Sequence, residues 1–598
     1  MRGKTLKLYL TAGLFYFSLA VLFTYPLILR LTTHGFGVDE DSPYHLWHNW
    51  WLYFSLFVQH TNPLYTNYIF SPQTIPLLYD ANAFVFAALT LPLQFITKNV
   101  VLSSNLIFLL SFILSGLSMM TLARFVLKEK PFANLVAVFS GFAFSFSPYV
   151  LAQATDGHTN LITVWIIPLY TLFLLKTLKE ENRQTRNAVI TGVLATLQLY
   201  NDLTYTSFLI LETGIILVFY LLRKAGEADL KKIAGALLRM AKPVLTIGLT
   251  AVFLSLPILI ELVKIQKLGI RAGSPLWVQN EWAADLAAFF LPSGLSTFFR
   301  SVSYTSPRGM VEGTVFLGWT VLALAILSVI FYHKEKSFRK PNLWHLMFIS
   351  LFILSLGPFL HLFGQFRISL FNFNFPIPLP WILLHKVPLI GEVQETTRLN
   401  PFLMMPLTLI AGSGMVRIFS LVNNRKVVVI LYAIFIIALG LEFFPAPFPT
   451  TRLMAPKAYA EITADRSDFA VLSLPLGFNS GQVALGPSPI GSLQFYQVYY
   501  KKPSFRGTVA RLPAWAFDYY RKLPLIKYFL NPASAPDDQD TDSALVRKTF
   551  SDKLHIKYIV VHRDKYKNFP LGESEKLIVE VLLGNKIFDD GTIATYRL

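Results

Sequence analysis

The feature that most constrains this chain is a series of apolar segments of about 20 residues, separated by short clusters of Lys and Arg. A segment of that length spans the hydrocarbon core of a bilayer as a helix. Hydrophobic residues make up 54% of the chain and charged residues 15%, unlike the composition of soluble domains. The sequence therefore predicts an all-α polytopic membrane bundle.

The Lys and Arg clusters predict the orientation of the bundle. The first segment, Leu8–Leu29, follows Arg2, Lys4 and Lys7, so the positive-inside rule predicts a cytoplasmic N-terminus. Further spans are expected at Leu102–Leu127, Asn134–Leu151, Leu161–Leu178, Val189–Tyr200, Tyr205–Leu222, Val244–Val263, Thr314–Tyr332, Leu343–Phe363, Phe402–Phe419 and Val427–Phe444. This makes about eleven spans and predicts an integral protein of the plasma membrane.

Two shorter apolar segments, Leu46–Val58 and Ala81–Thr97, are interpreted as interfacial or re-entrant parts of a long first outer loop, residues 31–101. Counting both as spans would raise the total to about thirteen and keep the same orientation. The C-terminus is expected outside in either case.

Composition excludes several classes of protein. A net charge of +18 would suggest nucleic-acid binding in a soluble protein, but here the basic residues lie between apolar segments and are explained by topology, so no nucleic-acid partner is expected. The absence of cysteine excludes disulfides, thiolate nucleophiles and cysteine-based metal sites. A metal, if bound, needs Asp, Glu and His.

The composition changes near residue 446, which predicts a membrane domain over 1–445 and an extracytoplasmic α/β domain over 446–598. Short β-branched runs in DFAVLSLPLG, IKYIVVHRD and TIATYRL predict strands there.

Acidic residues concentrate on the predicted outer side, beginning with Asp39, Glu40 and Asp41. Ionisable groups beside the hydrocarbon are costly and are a functional hypothesis by default. In an extended segment Asp39 and Asp41 face one way and Glu40 the other. A solvated loop is the alternative, although Gly35, Gly37 and Pro43 indicate a defined backbone.

Other predicted outer residues carry complementary chemistry. Asp156 and His158 offer a carboxylate and an imidazole that suit Mg²⁺ or Mn²⁺, although such a histidine is more often a hydrogen-bonded structural residue. Arg398 suits a phosphate, with headgroup snorkelling as the alternative. Glu312 is a candidate for substrate hydroxyls or for helix capping. Glu395 and Asp202 lie on the same predicted side.

These residues resemble the GT-C class of integral-membrane glycosyltransferases, which use polyprenyl-phosphate sugars. The resemblance lies in VDEDSPYHLWHNWW, NPLYTNYIFSP, FAFSFSPYVLAQATDGHTNLITVWIIPLY, VEGTVFLG and VPLIGEVQETTRL. The tail segments VLSLPLG, RGTVARLP and KYIVVHRD are similar to the outer domain of the YfhO-like bacterial members. The resemblance implies that Asp39 or Asp41 is the catalytic base or a metal ligand, and that Asp156 and His158 stand where a second metal-binding motif occurs.

The sequence thus predicts an inverting glycosyltransferase of the cell envelope. Asp39 and Asp41 are the candidate catalytic residues. The candidate substrate-binding residues are Glu40, Asp202, Glu312, Glu395 and Arg398, and the candidate ligands for Mg²⁺ or Mn²⁺ are Asp41, Asp156 and His158. The donor is a polyprenyl-phosphate sugar and the acceptor a glycan, lipid or protein. A transporter of lipid-linked glycans and a non-catalytic envelope assembly protein are the alternatives.

Overall fold

The computed structural model describes residues 2–38, 41–80, 83–128, 130–225, 230–270, 273–334, 342–370, 373–445, 447–481, 483–487, 491–531, 543–565 and 571–598. The chain divides into two compact units. The first comprises Met1–Arg30, Asn105–Pro257 and Gly273–Pro449, and the second comprises Leu31–Ser104, Ile258–Ala272 and Thr450–Leu598. These units reflect packing rather than position in a membrane, so the predicted division at residue 446 stays a prediction.

The first unit is built from helices. They are Arg2–Phe23, most of Val100–Val126, Ala133–Ser145, Pro148–Asp156, Thr159–Ile162, Ile166–Lys179, Gln184–Asn201, Leu203–Ala225, most of Leu230–Lys267, Leu276–Glu281, Trp319–Lys334, Leu343–Ser355, Trp381–Leu384, Asn400–Ser420 and Arg425–Phe443. A two-stranded hairpin pairs Arg367–Leu370 with Phe373–Pro376. Helices satisfy their own backbone hydrogen bonds, which is what a hydrocarbon environment requires.

Seven helices in the described part of the chain are long and apolar enough to cross a membrane: Gly3–Phe23, Val100–Val126, Ala133–Asp156, Leu203–Arg223, Leu237–Lys267, Thr396–Ser420 and Arg425–Phe443. Three shorter apolar helices are Phe84–Thr97, Trp319–Phe331 and Leu343–Ser355. The chain is therefore an integral membrane protein. The expected total of eleven to thirteen spans stays a prediction.

The helix Asn400–Ser420, hereafter the central helix, is apolar on all sides and almost entirely buried. Helices Ala133–Ser145, Trp319–Lys334 and Leu343–Ser355 pack around it. At Gly414 the approach is so close that a Cβ atom would lie 2.2 Å from the carbonyl oxygen of Leu324. Small residues at such points let membrane helices approach each other closely.

Other helices expose their apolar side chains. Leu238, Phe253 and Ile260 of Leu230–Lys267 are 76, 71 and 53% exposed. Apolar surface of this extent is expected against lipid rather than water.

Several predicted spans are interrupted in the structure. The span expected at Asn134–Leu151 breaks before Pro148, whose ring disfavours the helical conformation of the preceding residue. The first helix ends at Phe23 rather than at Leu29, shortly before Pro26.

The second unit contains the helices Asp41–Phe54 and Phe84–Thr97 and the mixed C-terminal fold. A four-stranded sheet has the order Asn585–Asp589, Ile593–Arg597, Ile556–His562, Ala470–Leu474, and only the last pair is parallel. Helices in this part of the chain are Ala460–Ala464, Gly491–Phe495, Gln497–Tyr500, Trp515–Arg521, Ile526–Leu530, Ser543–Lys548 and Leu571–Glu580. The strands predicted in the three β-branched runs are confirmed.

Smaller sheets complete the second unit. Phe478–Asn479 lies between Ala484–Leu485 and Gly507–Thr508. His34–Phe36 pairs antiparallel with Thr450–Arg452, and Tyr65–Thr66 pairs with Ile75–Pro76. The fold class, an α-helical membrane bundle with a C-terminal α/β part, is confirmed.

Candidate active site

The first unit gathers three of the predicted residues into one buried ion-pair cluster. Arg398 lies in the 3-10 turn Thr396–Leu399 that precedes the central helix. Its Nη2 donates to Oε1 of Glu312 at 3.0 Å, and its Nη1 lies 3.4 Å from Oε2 of Glu395. The three side chains are only 19, 13 and 14% exposed. Buried charges of this kind require partners, and here each has one.

Neighbouring elements fix this turn in place. Thr396 Oγ1 donates to the carbonyl of Ser355 at 2.9 Å, and Asn400 Nδ2 donates to the carbonyl of Val315 at 3.0 Å. The turn that carries Arg398 is therefore held from two sides. Its Nε is buried and has no hydrogen-bond partner among the described residues, so one donor is left for a further group.

Gln153, which the sequence interpretation missed, connects this cluster to His158. The His158 Nδ1–H group donates to Oε1 of Gln153 at 2.5 Å, and Gln153 Nε2 faces Oε2 of Glu312 at 3.4 Å. Because a carboxylate only accepts, the amide must present its NH₂ group to Glu312 and its oxygen to His158. His158, Gln153, Glu312, Arg398 and Glu395 therefore form one continuous polar chain.

This arrangement decides the tautomer of His158. With the proton on Nδ1, the ring carries its lone pair on Nε2. A hydrogen bond from the other ring nitrogen is the usual support of a metal-ligating histidine. Asp156 lies two residues earlier, and Gly157 between them has a φ of +86° that favours glycine where the helix Pro148–Asp156 ends. The residues present in the first unit thus fit a divalent cation.

Asp202 was predicted to bind substrate, and in the structure its carboxylate caps a helix. It accepts hydrogen bonds from Asn160 Nδ2 and from the backbone N–H of Tyr205, both at 2.7 Å, and so caps the helix Leu203–Ala225. Burial raises the pKa of Asp202, while the Arg398 charge and these hydrogen bonds oppose the rise. Asp202 therefore lies within electrostatic reach of the cluster, and its role toward substrate stays a prediction.

The loop before Arg398 is organised by Gln279, a second residue that the sequence interpretation missed. Its Nε2 donates to the carbonyls of Gly391 and Val393, both at 2.7 Å, and its Oε1 accepts from Trp381 Nε1 and His385 Nδ1. All of its hydrogen-bonding capacity is used on this loop. Gln279 thereby fixes the backbone that leads to Glu395. Neither glutamine carries a charge, and a neutral amide does not by itself indicate a functional site, so neither was proposed from the sequence.

Asp41 belongs to the second unit, where it is the half-buried first residue of the helix Asp41–Phe54. A carboxylate at a helix N-terminus is stabilised by the helix dipole. Asp39 and Glu40 lie outside the described residues. The predicted roles of Asp39, Glu40 and Asp41 therefore stay predictions.

The second unit also contains a buried acid with a structural role. Asp80 accepts from the Tyr44 hydroxyl and from the Ala510 backbone N–H, and lies 2.8 Å from His48 Nε2. His48 Nδ1 faces the Tyr44 carbonyl at 2.9 Å and must donate to it, so a further proton lies between Nε2 and Asp80. The pair is neutral overall, which explains how it tolerates burial. It ties Asp41–Phe54 to the segment around Ala510.

Comparison with known proteins adds a family and a fold. A family model described as "Domain of unknown function (DUF6311)" matches residues 12–439. No curated protein matches the sequence. Among solved structures, arabinofuranosyltransferase AftD from Mycobacteria (mutant R1389S) aligns with a TM-score of 0.56 at 12% identity, covering 98% of this chain and 41% of that one. The chain therefore spans less than half the length of that relative.

Two further structures align less closely. The archaeal oligosaccharyltransferase AglB from Archaeoglobus fulgidus has a TM-score of 0.47 at 12% identity, covering 93% of this chain and 69% of that one. ArnT from Cupriavidus metallidurans has a TM-score of 0.44 at 12% identity, covering 100% and 98%. At these identities the likeness concerns the fold, and the membrane bundle is GT-C-like.

Proposed function

Because the chain belongs to the DUF6311 family over residues 12–439 and has a GT-C-like bundle, we propose that it is a membrane glycosyltransferase. The observation that carries the proposal is the polar chain from His158 through Gln153, Glu312 and Arg398 to Glu395. It combines carboxylates for sugar hydroxyls with a guanidinium for a phosphate, at the ends of apolar helices. The finer assignment to the YfhO-like bacterial members rests on the arrangement of the membrane segments, and the tail segments VLSLPLG, RGTVARLP and KYIVVHRD are also similar.

The proposed donor is a sugar linked to a polyprenyl phosphate, and the acceptor is a hydroxyl group on the outer side of the plasma membrane. In an inverting transfer the acceptor oxygen attacks the anomeric carbon while the bond from that carbon to the phosphate oxygen breaks. The electron pair leaves with the polyprenyl phosphate. The acceptor proton passes to a carboxylate, for which Asp39 and Asp41 are the proposed bases.

Arg398 contributes to the proposed sugar transfer by binding the leaving phosphate and by positioning two glutamates. Its unsatisfied Nε–H is a donor for an oxygen of the leaving phosphate, and its Nη groups hold Glu312 and Glu395 in place. The two glutamates are then positioned to accept hydrogen bonds from sugar hydroxyls. Asp202 lies at the edge of this cluster and is a proposed substrate contact of the same kind.

The cluster carries one guanidinium against two glutamates, so a phosphate would meet excess negative charge. Mg²⁺ or Mn²⁺, when bound, would supply the compensating positive charge and polarise the phosphate. Within the first unit Asp156 and His158 are the residues that would hold it. Asp41 is proposed either as a further ligand or as the base.

The experiment is sugar transfer from a polyprenyl-phosphate donor by the purified full-length protein in lipid. Asp41→Asn, Glu312→Gln and Arg398→Lys are each expected to lower turnover at least 100-fold, because each removes a proton acceptor or a geometric constraint. Asp518→Asn serves as the matched control, because the Asp518 side chain is 52% exposed. Sugar transfer by this variant should be unchanged. Full transfer by the three site variants would refute the proposal.

One observation favours the transporter alternative. Glu212 lies near the middle of the span Leu203–Arg223 and is fully buried, accepting from Thr171 Oγ1 at 2.5 Å. An acid inside a membrane span commonly marks a substrate or ion pathway. Glu212→Gln separates the two functions: a glycosyltransferase with a structural Glu212 keeps transfer, whereas a transporter loses uptake of the lipid-linked glycan.

A further inference from the structure

A second polar site lies in the first unit, away from the Arg398 cluster. It is a cavity of about 540 Å³ bordered by Phe125, Lys179, Tyr220, Arg223, Asn342 and Trp344. These residues come from the ends of four helices: the C-terminal ends of Val100–Val126, Ile166–Lys179 and Leu203–Ala225, and the N-terminal end of Leu343–Ser355. We call it the basic cavity.

The helix Leu203–Ala225 gives the distance between the two sites. Asp202, at its N-terminal end, lies within electrostatic reach of Arg398, and Arg223 lies 21 residues further along. At about 1.5 Å per residue the sites are roughly 32 Å apart. That distance matches the thickness of the hydrocarbon core, about 30 Å. The basic cavity and the Arg398 cluster therefore belong to opposite membrane faces.

The charges at the basic cavity are not balanced within the described part of the chain. Neither Lys179 nor Arg223 makes an ion pair with a described carboxylate. Burial, together with the Arg223 charge, lowers the pKa of Lys179. Two cations near each other, with no counter-ion among the described residues, repel, and an anion between them would relieve that cost.

The remaining groups suit the same ligand. Lys179 Nζ lies 5.6 Å from the centroid of the Phe125 ring, which fixes the ammonium at the cavity. Asn342 uses Oδ1 to cap the helix Leu343–Ser355, which leaves its Nδ2 group as a neutral donor. Tyr220 and Trp344 add the aromatic surface typical of a membrane interface.

We propose that the basic cavity binds a phosphate group, carried either by an anionic lipid headgroup or by a soluble phosphate compound. Two cations on different helices, a neutral donor and interfacial aromatic rings around one cavity form a more specific arrangement than single cations that snorkel to headgroups. The site is independent of the proposed sugar transfer, since it lies at the other membrane face.

Trp344 provides a direct probe. The full-length protein is placed in nanodiscs containing brominated phosphatidylglycerol or brominated phosphatidylcholine, and the emission that disappears in Trp344→Phe is followed. A second arm titrates inorganic phosphate against the protein in phosphatidylcholine nanodiscs. The double variant Lys179→Gln/Arg223→Gln removes both cations. Arg183→Gln is the control, because Arg183 is an exposed cation in the turn that follows the same helix and does not border the cavity.

A lipid ligand predicts quenching by phosphatidylglycerol at a roughly 25-fold lower mole fraction in the wild type than in the double variant, about fivefold per cation. A soluble ligand predicts a saturable response to inorganic phosphate that the double variant loses. The control keeps the wild-type response in both cases. Equal quenching by the two lipids without a phosphate response would overturn the proposal, as would an equal loss in Arg183→Gln.

Discussion

Replacing Arg398 with methionine tests whether the attraction between Arg398 and the two glutamates stabilises the ion-pair cluster. Arg398→Met keeps most of the side-chain volume but leaves Glu312 and Glu395 buried at 13 and 14% exposure without their cation. Unit charges about 4 Å apart attract by about 4 kcal/mol at an effective dielectric of about 20. Removing one member of a buried ion pair costs about 3–5 kcal/mol. We therefore expect a loss of about 3–5 kcal/mol in the free energy of unfolding.

Restoring neutrality should recover most of this loss. In the triple variant Arg398→Met/Glu312→Gln/Glu395→Gln no buried charge remains, and replacing a whole buried ionic group is often close to neutral. Arg521→Met is the surface control. It breaks a pair at 2.9 Å whose side chains are 46 and 52% exposed, and such pairs contribute at most about 1 kcal/mol.

The assay is unfolding by sodium dodecyl sulfate in mixed micelles, followed by tryptophan fluorescence at fixed pH and salt. The expected order of stability is wild type, close to Arg521→Met, then the triple variant, then Arg398→Met. If Arg398→Met is as stable as the surface control, or if the triple variant is no more stable than the single one, the cluster is not held by charge balance.

Two further predictions concern packing and pH. Gly414→Ala should destabilise the bundle by about 1–3 kcal/mol because its Cβ would lie 2.2 Å from the Leu324 carbonyl, whereas Gly440→Ala, with nothing within 4 Å, should be neutral or slightly stabilising in the same assay. Burial, with Arg506 and Lys565 nearby, lowers the pKa of His562 from 6.5 to about 3, so the unfolded state binds more protons between these values and stability falls as the pH drops from about 6.5 toward 3. His562→Gln should flatten the pH dependence of the free energy of unfolding in that window by up to about 1.4 kcal/mol per pH unit, and an unchanged slope would contradict the assignment.

Elements with a strong local pattern could be predicted from the sequence. The strands Ala470–Leu474, Ile556–His562 and Ile593–Arg597 lie within the β-branched runs that predicted them. The span expected at Tyr205–Leu222 lies within the helix Leu203–Ala225. In these cases hydrophobicity and β-propensity agree with the burial that tertiary packing imposes.

Pairings between distant residues could not be predicted. His34–Phe36 pairs with Thr450–Arg452 across more than 400 residues, and no local signal encodes such a register. The break at Pro148 was also missed, since the residues of the expected span Asn134–Leu151 are apolar on both sides of this proline.

In the candidate site, the charged residues could be proposed from the sequence and the neutral ones could not. Arg398, Glu312 and Glu395 were proposed from charge and position, and the structure brings them together. Gln153 and Gln279 were not proposed, because a neutral amide acquires its role only from the partners that the fold supplies. The link from His158 to Glu312 depends on one such amide.

We expect the Arg398 cluster to face the outside of the cell and the basic cavity to face the cytoplasm, and every proposal above depends on this orientation. The chain contains no cysteine, so single engineered thiols report position without background. Thr305→Cys, in the loop that leads to Glu312, should react with a membrane-impermeant maleimide in intact cells. Asn182→Cys, just beyond Lys179, should react only after permeabilisation. Reaction of both from the same side, or the reverse pattern, would contradict the account.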